Sequence, residues 1–190
     1  LNIDQLIVNG GTNTTIEVAL PDTNRGDIAG SIDQGSLLGN GQTPFQTLIA
    51  TGSVISANTL AQLTLVGKDG VNQVSQGIFN ADNEVAKGYY GFTLGLSEDE
   101  TDVGILYTLT QVDILNNQTL TLSEKGTLAA TLTSSGTGNL LIAEGGAVTL
   151  TEENTYTGNT TIDSGASLTA NMGSLGNTQL LDVKGSFVNA

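Results

Sequence analysis

Apolar and polar residues alternate along the C-terminal third of the chain. A single polar residue separates Leu120 from Leu122 and Val148 from Leu150. Every second side chain of a β-strand points to the same face, so this spacing predicts short strands with one buried face. The segment has no window with the i, i+3, i+4, i+7 spacing of an amphipathic helix. We therefore predict an all-β protein.

The alternating segments recur in phase as a short internal repeat. The repeat has four copies, which we call lines; they are 117–138, 139–158, 159–176 and 177–190. One glycine in each line keeps nearly the same place; these are Gly126, Gly146, Gly165 and Gly185, whose numbers differ by 20, 19 and 20. Two or three short strands per repeat are typical of one coil of a β-solenoid, where stacked coils bury a continuous core that no single coil can bury alone.

A Gly-Asn pair is a second marker of the repeat. It occurs at 138–139, 158–159 and 176–177. In stacked coils Asn139, Asn159 and Asn177 would form an amide ladder along one corner. The alternative is that Gly-Asn serves only as a common turn dipeptide.

The rest of the chain is less regular. Residues 4–11 followed by Thr14–Val18 resemble one line of the C-terminal repeat, and 21–41 is rich in turn residues. Two apolar segments, Tyr89–Leu96 and Val103–Leu109, flank the acidic turn 97–102 and predict an antiparallel hairpin. We predict a single domain over 1–190, with a coil-like start over 1–20, irregular coils, loops and the hairpin over 21–116, and regular coils over 117–190.

One line of the repeat resembles a known family. Residues 145–168 read GGAVTLTEENTYTGNTTIDSGASL. This Gly-led strand, followed by an Asn-Thr-Tyr-x-Gly turn and a Thr-Thr-Ile strand, resembles the autotransporter-associated β-strand repeat. Less specifically, residues 45–109 are similar to the segment that precedes such repeats in pertactin-like autotransporters.

This resemblance implies a fold and a location. The fold is a right-handed parallel β-helix, a β-solenoid with coils of about 20 residues and a protruding hairpin. The location is extracellular or at the bacterial cell surface, reached by type V secretion. Contact with a membrane would be made only through a C-terminal β-barrel, which this sequence lacks, so we expect the chain to be a fragment of a passenger.

The charge balance narrows the range of partners. The chain has five basic and 19 acidic residues, which give a formal net charge of −14. Such a chain has no electrostatic attraction to phosphate backbones or to anionic lipid headgroups. We therefore expect no nucleic-acid partner and no binding to an anionic membrane surface.

The residue types present argue against an enzyme. The chain has no His and no Cys, which excludes Ser-His-Asp and Cys-His catalysis within it. Paired carboxylates of the glycosidase type remain arithmetically possible, but such sites add aromatic platforms, and the chain has four Tyr, four Phe and no Trp. The acidic residues at 98–102 fit neither the EF-hand nor the Gly-rich nonapeptide spacing, so we interpret them as a solvated hairpin tip. We predict no catalytic residue, no metal site and no cofactor.

The tripeptide Arg25-Gly26-Asp27 is the integrin-recognition sequence. Its neighbours Asn24 and Ile28–Gly30 are typical of an accessible loop. An ordinary turn and an integrin-binding site are the two interpretations.

The function favoured by these observations is adhesion, autoaggregation or biofilm formation by a non-catalytic passenger segment. Its partners would be host-cell or bacterial surface molecules, self-association included. The alternative is a structural stalk that aids secretion and displays an N-terminal effector domain.

Overall fold

The computed structural model describes residues 2–3, 14–18, 37–38, 46–67, 73–171 and 173–190. The chain forms two compact units. The first comprises 1–22, 42–74 and 91–108, and the second comprises 23–41, 75–90 and 109–190. The domain boundaries predicted from the sequence stay a prediction.

The first unit combines short strands with one helical turn. Its elements before the hairpin are β1 (Asn2–Ile3), β2 (Thr14–Val18), β3 (Gln46–Thr51), α1 (Ala57–Leu60) and β4 (Leu63–Gly67). Strand β1 pairs in parallel with β3, and β2 with β4. Ser56 caps α1 by accepting a hydrogen bond from the backbone N–H of Thr59. Ile55, Leu63 and Val103 form the apolar core of this unit.

The predicted hairpin is present, with longer strands than the apolar pattern indicated. Strand β5 spans Gln73–Asn80, β6 spans Asn83–Leu96 and β7 spans Asp102–Ile114. These three strands are neighbours in the order β7-β6-β5. The backbone N–H of Ser97 donates to the carbonyl O of Asp102 at 3.0 Å, which closes the turn.

The second unit contains a parallel β-solenoid of about four turns, which confirms the predicted fold. Its coils are built from short strands after the hairpin. These are β8 (Thr119–Leu122), β9 (Lys125–Leu128), β10 (Thr131–Ser134), β11 (Asn139–Ile142), β12 (Ala147–Leu150), β13 (Thr160–Ile162), β14 (Ser167–Ala170), β15 (Leu181–Val183) and β16 (Ser186–Asn189). One wall has the order β15-β13-β11-β8, and a second has the order β16-β14-β12-β9.

The apolar residues of successive coils stack in columns inside the solenoid. Leu122 pairs with Ile142, Ile142 with Ile162, and Ile162 with Val183. The first three of these side chains are fully buried. Each burial removes apolar surface from water and contributes about 1.5 to 3 kcal/mol for a side chain of this size. The alternation predicted from the sequence therefore matches the observed inner face.

A third wall completes each coil. Strand β10 pairs in parallel with β7, aligning Leu132 with Val112. One turn later residues 154–157 continue this wall without forming a strand; the Thr155 N–H donates to the Leu132 carbonyl at 2.8 Å. A short 3-10 turn, Gly173–Leu175, follows at the next level.

The repeat length is confirmed, but the glycines that marked it are not equivalent. In the paired strands Gly126 aligns with Val148, and it therefore lies inside β9, whereas Gly146 precedes β12. The cause is turn length: two residues join β8 to β9, and four join β11 to β12. Gly145 and Gly165, both with positive φ, occupy the same place in successive four-residue turns.

The predicted asparagine ladder was also wrong in detail. The Asn139 side-chain oxygen accepts a hydrogen bond from the Asn159 backbone N–H at 2.9 Å, so one backbone-to-side-chain contact joins two coils. Asn177 lies elsewhere, because its N–H donates to the Tyr156 carbonyl. No amide-to-amide hydrogen bond links the three side chains within the described residues.

Candidate functional site

The acidic turn between β6 and β7 is held together by its own side chains. Asp99 Oδ1 accepts hydrogen bonds from the Ser97 hydroxyl at 2.7 Å and from the Thr101 hydroxyl at 2.9 Å. The Ser97 and Thr101 hydroxyls and the Thr101 N–H lower the pKa of the Asp99 carboxyl from its ordinary value. Glu100 adopts a left-handed backbone conformation with φ of 59°. The turn is thus built by hydrogen bonds that stabilise an ionised Asp99.

A shallow depression lies beside this turn. It is lined by Thr47, Ser97, Glu98, Asp99 and Asp102. The Thr47 hydroxyl donates to Asp102 Oδ2 at 3.0 Å, which ties β3 to the base of the turn. Two of the three acidic residues lining the depression therefore already accept hydrogen bonds from the protein. Among the described residues, no group of three or more acidic side chains is placed to hold a metal ion.

Asn154 is the polar side chain that links three levels of the third wall. It is buried, and its Oδ1 accepts a hydrogen bond from the Leu132 N–H at 2.7 Å. Its Nδ2 donates to the Ser174 carbonyl at 2.6 Å. Residues 154–157 are not a strand, so the Asn154 amide supplies hydrogen bonds that a strand would make through its backbone.

A series of hydrogen-bonded hydroxyl groups extends from the buried Tyr156 toward the next coil. The Tyr156 hydroxyl lies 2.6 Å from Thr160 Oγ1, which lies 2.6 Å from Thr178 Oγ1. The Thr178 hydroxyl donates to the Gly158 carbonyl at 3.0 Å. Each hydroxyl has one hydrogen, so Thr160 donates to Thr178 and Tyr156 donates to Thr160. The hydroxyl hydrogens of Tyr156, Thr160 and Thr178 are therefore all donated to groups inside the protein.

Burial raises the pKa of three tyrosines. Desolvation is the only cause at Tyr90 and Tyr107 and the largest one at Tyr156, where hydrogen bonds with Thr160 and Thr178 act in the opposite direction. The tyrosinate form is disfavoured because a charge in an apolar interior loses its hydration. These phenols are therefore neutral parts of the core.

The outward faces of the coils carry the remaining candidate surface. On the second wall Thr127 pairs with Thr149 and Thr149 with Thr169, so three hydroxyls repeat at the spacing of neighbouring strands. The adjacent outward positions are held by Lys125, Ala147, Ser167 and Ser186. On the first wall Thr121 pairs with Leu141, and Leu141 pairs with Thr161. Both walls therefore present mainly small, uncharged side chains.

Sequence reasoning placed some of these features and missed others. It located the acidic turn, and it located the polar outward faces through the alternation of residue types. It missed the bridging role of Asn154. Positions 154, 156 and 158 are buried in alternation, but their residues are Asn, Tyr and Gly, so the sequence shows no apolar alternation there. The tripeptide Arg25, Gly26 and Asp27 lies outside the described residues, so both interpretations of it stay predictions.

Comparison with family models, with curated proteins and with solved structures gives no match for this chain. In the part of the chain that the structure describes, no helix has the length and apolar character needed to cross a membrane.

Proposed function

We propose that this chain is a non-catalytic segment of an autotransporter passenger that mediates adhesion, autoaggregation or biofilm formation at the bacterial cell surface. The observation that carries the proposal is the coil stack itself. Its outward positions repeat the same kinds of small polar side chains from one coil to the next, as in the Thr127, Thr149 and Thr169 column. This arrangement supports binding by an extended face.

A repeated face binds differently from a pocket. Each outward threonine offers one donor and acceptor hydroxyl, and a single such contact contributes little free energy. Contacts repeated at every coil act together, because the first contact raises the effective concentration of the next. The partner chemistry that fits is a repeating polar surface, such as a cell-surface glycan or another copy of the same wall.

The residue types present also support a role without catalysis. The chain has no His and no Cys, and the Asp99 and Asp102 carboxylates in the acidic turn already accept hydrogen bonds from neighbouring side chains. The buried tyrosine hydroxyl at 156 donates internally. These groups stabilise the fold, so the proposal assigns binding to the outward walls.

The test compares two walls of the same protein. Beads coated with the purified chain are mixed with each other, with bacteria and with host epithelial cells, and aggregation and adherence are counted. One variant replaces Thr127, Thr149 and Thr169 with alanine on the second wall. The matched control replaces Thr119, Thr121 and Thr161 with alanine on the first wall. Circular dichroism verifies that both variants keep the β-structure of the parent chain.

The expected result is adherence by the parent chain and a loss that differs between the two variants. Binding through the Thr127, Thr149 and Thr169 column predicts that the second-wall variant loses most of the adherence and that the first-wall control keeps it. On cells, a strain that displays the passenger should aggregate or adhere more than a passenger-deleted strain. Equal behaviour of displaying and deleted strains, together with non-adherent beads, would refute the adhesive role.

The stalk is the second candidate, and the parallel pairing between coils favours it. Strand β11 hydrogen-bonds to β8 on one side and to β13 on the other, so each coil provides the template for the next. Such stepwise folding suits a segment that is pulled out of the cell as it folds. Deleting the coils 117–190 distinguishes the two roles: a stalk predicts failed secretion, and an adhesive face predicts normal display with lost binding.

A further inference from the structure

The inward column of residues in the second wall has no side chain in its first coil. Gly126 aligns with Val148, and Val148 aligns with Leu168. Val148 and Leu168 are both buried. Leu128, two residues beyond Gly126 in β9, is buried as well, and side chains two residues apart in a strand point to the same face. Position 126 therefore faces the interior of the solenoid, and the coil itself does not fill that place.

A segment far upstream in the chain fills this place. A Cβ built on Gly126 would lie 2.9 Å from the Cβ of Leu38 and 2.9 Å from its carbonyl O. The adjacent Leu37 is 1% exposed. Leu37, Leu38 and Gly126 all belong to the second unit. Leu38 thus lies against the inward side of β9, and we call Leu37 and Leu38 together the strap.

The strap explains why position 126 is glycine. Glycine weakens the interior of a strand and often marks a place where another backbone approaches closely. The backbone of Gly126 lies outside the left-handed region, unlike that of Gly145 and Gly165, so its conformation does not require glycine. The atoms nearest to the added Cβ include the carbonyl C and O of Leu38, which are backbone atoms and cannot rotate away as the end of a side chain can. Any Cβ at position 126 must therefore move the strap.

The first coil needs a cover that later coils do not need. On the second wall β9 ends the order β16-β14-β12-β9, so β12 is its only neighbour among the described strands. A coil at the end of a stack buries its apolar residues only if something other than a coil packs against it. Leu120 and Leu122 in β8 and Leu128 in β9 are nevertheless at most 1% exposed. The position of Leu38 beside Gly126 provides one part of that cover.

We propose that the strap is a conformational device that closes the first end of the solenoid, with Gly126 as the socket that holds it. While Leu37 and Leu38 are in place, the inward side of β9 is covered. When a side chain at position 126 displaces them, the first coil opens, whereas the later coils stay folded because neighbouring coils cover them. The inference rests on packing within the second unit and not on the proposed adhesive role.

Amide hydrogen exchange of the purified chain tests the strap. Gly126→Ala should displace it, so the amides of 37–38 and 119–128 should exchange roughly tenfold or more faster than in the parent chain, while those of 160–170 keep their rates. Anilinonaphthalene sulfonate should fluoresce more strongly with this variant, because the apolar interior of the first coil becomes accessible. Gly173→Ala is the matched control at a less crowded glycine, and it should change neither signal.

A second variant changes the strap itself. Leu37→Ala removes a buried apolar side chain and should speed exchange in the same segments, whereas Val54→Ala, at a residue that is 69% exposed, should not. Because both substitutions release one strap, the variant that carries Gly126→Ala and Leu37→Ala should exchange no faster than the more affected single variant. Unchanged exchange of 119–128 in both single variants overturns the proposal. So does an equal rise in 160–170, or an additive effect in the double variant.

Discussion

At the scale of single residues, the interior of the coils depends on polar groups with complete hydrogen bonding. Asn154 and Tyr156 are both buried, and each makes hydrogen bonds to a different part of the stack. A buried polar group that loses its partner keeps the cost of lost hydration. The stability of the third wall should therefore be more sensitive to these residues than to exposed residues of the same type.

The first prediction concerns Asn154. Asn154→Ala removes the acceptor of the Leu132 N–H and the donor to the Ser174 carbonyl. We expect the free energy of unfolding to fall by about 2 to 3 kcal/mol, measured by urea denaturation. Asn159→Ala is the control, because Asn159 is exposed; it should change the value by less than about 0.5 kcal/mol. Equal effects of the two substitutions would contradict the bridging role.

The second prediction concerns pH. Burial raises the pKa of Tyr90, Tyr107 and Tyr156 in the folded chain, whereas in the unfolded chain tyrosine titrates near its ordinary pKa of about 10. Above that pH the unfolded chain binds fewer protons than the folded chain, so the free energy of unfolding falls as the pH rises. The contribution is fully present below about pH 10 and is lost as the pH rises through the folded-state values.

Two measurements check this pH dependence. Tyrosinate absorbance of the native chain should rise at higher pH than that of the urea-unfolded chain. The loss of stability between about pH 9 and about pH 11 should be smaller in Tyr156→Phe than in the parent, since one of the three groups no longer titrates. Identical titration curves for the folded and unfolded chains would show that these phenols are not buried.

At the scale of elements, the coils approach each other closely where the third wall turns into the first. Gly158 donates its N–H to the Gly138 carbonyl at 3.0 Å. A Cβ on Gly158 would contact that carbonyl oxygen and would lie 2.6 Å from Asn139 Oδ1. The atom in the way is backbone of the neighbouring coil, which has little freedom to move. Glycine is required at this corner because of the close approach.

The third prediction tests this corner. Gly158→Ala should lower the melting temperature and reduce the free energy of unfolding by about 2 kcal/mol, because overpacking forces the coils apart. Gly173→Ala is the matched substitution at a less crowded position, where the nearest atom to the added Cβ is the Asn171 side-chain oxygen at 3.3 Å. Its effect should stay within about 0.5 kcal/mol. A Gly158 variant as stable as the Gly173 variant would show that the corner relaxes freely.

At the scale of the whole molecule, the solenoid is a stack of similar turns, which we call levels. The connections between the strands differ in length from one level to another. The β11 and β13 levels are each followed by a turn of four residues, so β12 and β14 start at equivalent points. A level of this kind can be removed without shifting the alignment of those that remain. Removing half a level, residues 139–148, would instead bring the exposed Glu152 to the inward position opposite Leu122.

The fourth prediction is a pair of deletions. Removing 139–158, which is one full turn, brings Thr160 opposite Leu120 and Ile162 opposite Leu122, as Leu140 and Ile142 are now. We expect a folded β-protein of reduced stability by circular dichroism and thermal unfolding. Removing only 139–148 breaks the alignment and should abolish cooperative unfolding of the coils. If both deletions unfold equally, the coils are not interchangeable levels.

The sequence by itself determined the class of fold and the period of its repeat. Alternation with period two is set by the geometry of each strand, and the spacing of the repeat is set by the length of chain needed for one turn; both are local and visible in the residues. The same local patterns placed the acidic turn between two strands. Residues such as Leu120 and Leu122 could be assigned to the core because their neighbours are polar.

Tertiary structure alone decided which residues occupy equivalent positions in successive coils and which side chains are buried by their neighbours. Gly126 aligns with Val148 because the β8–β9 turn is two residues shorter than the β11–β12 turn, and such register depends on pairing between distant strands. Asn154 is buried and Asn159 is exposed although both are asparagines with neighbouring coils beside them, since only the Asn154 side chain lies inside the stack. The coverage of Leu122 and the exposure of Val183 likewise depend on what packs against each end of the stack, which alternation within a strand does not encode.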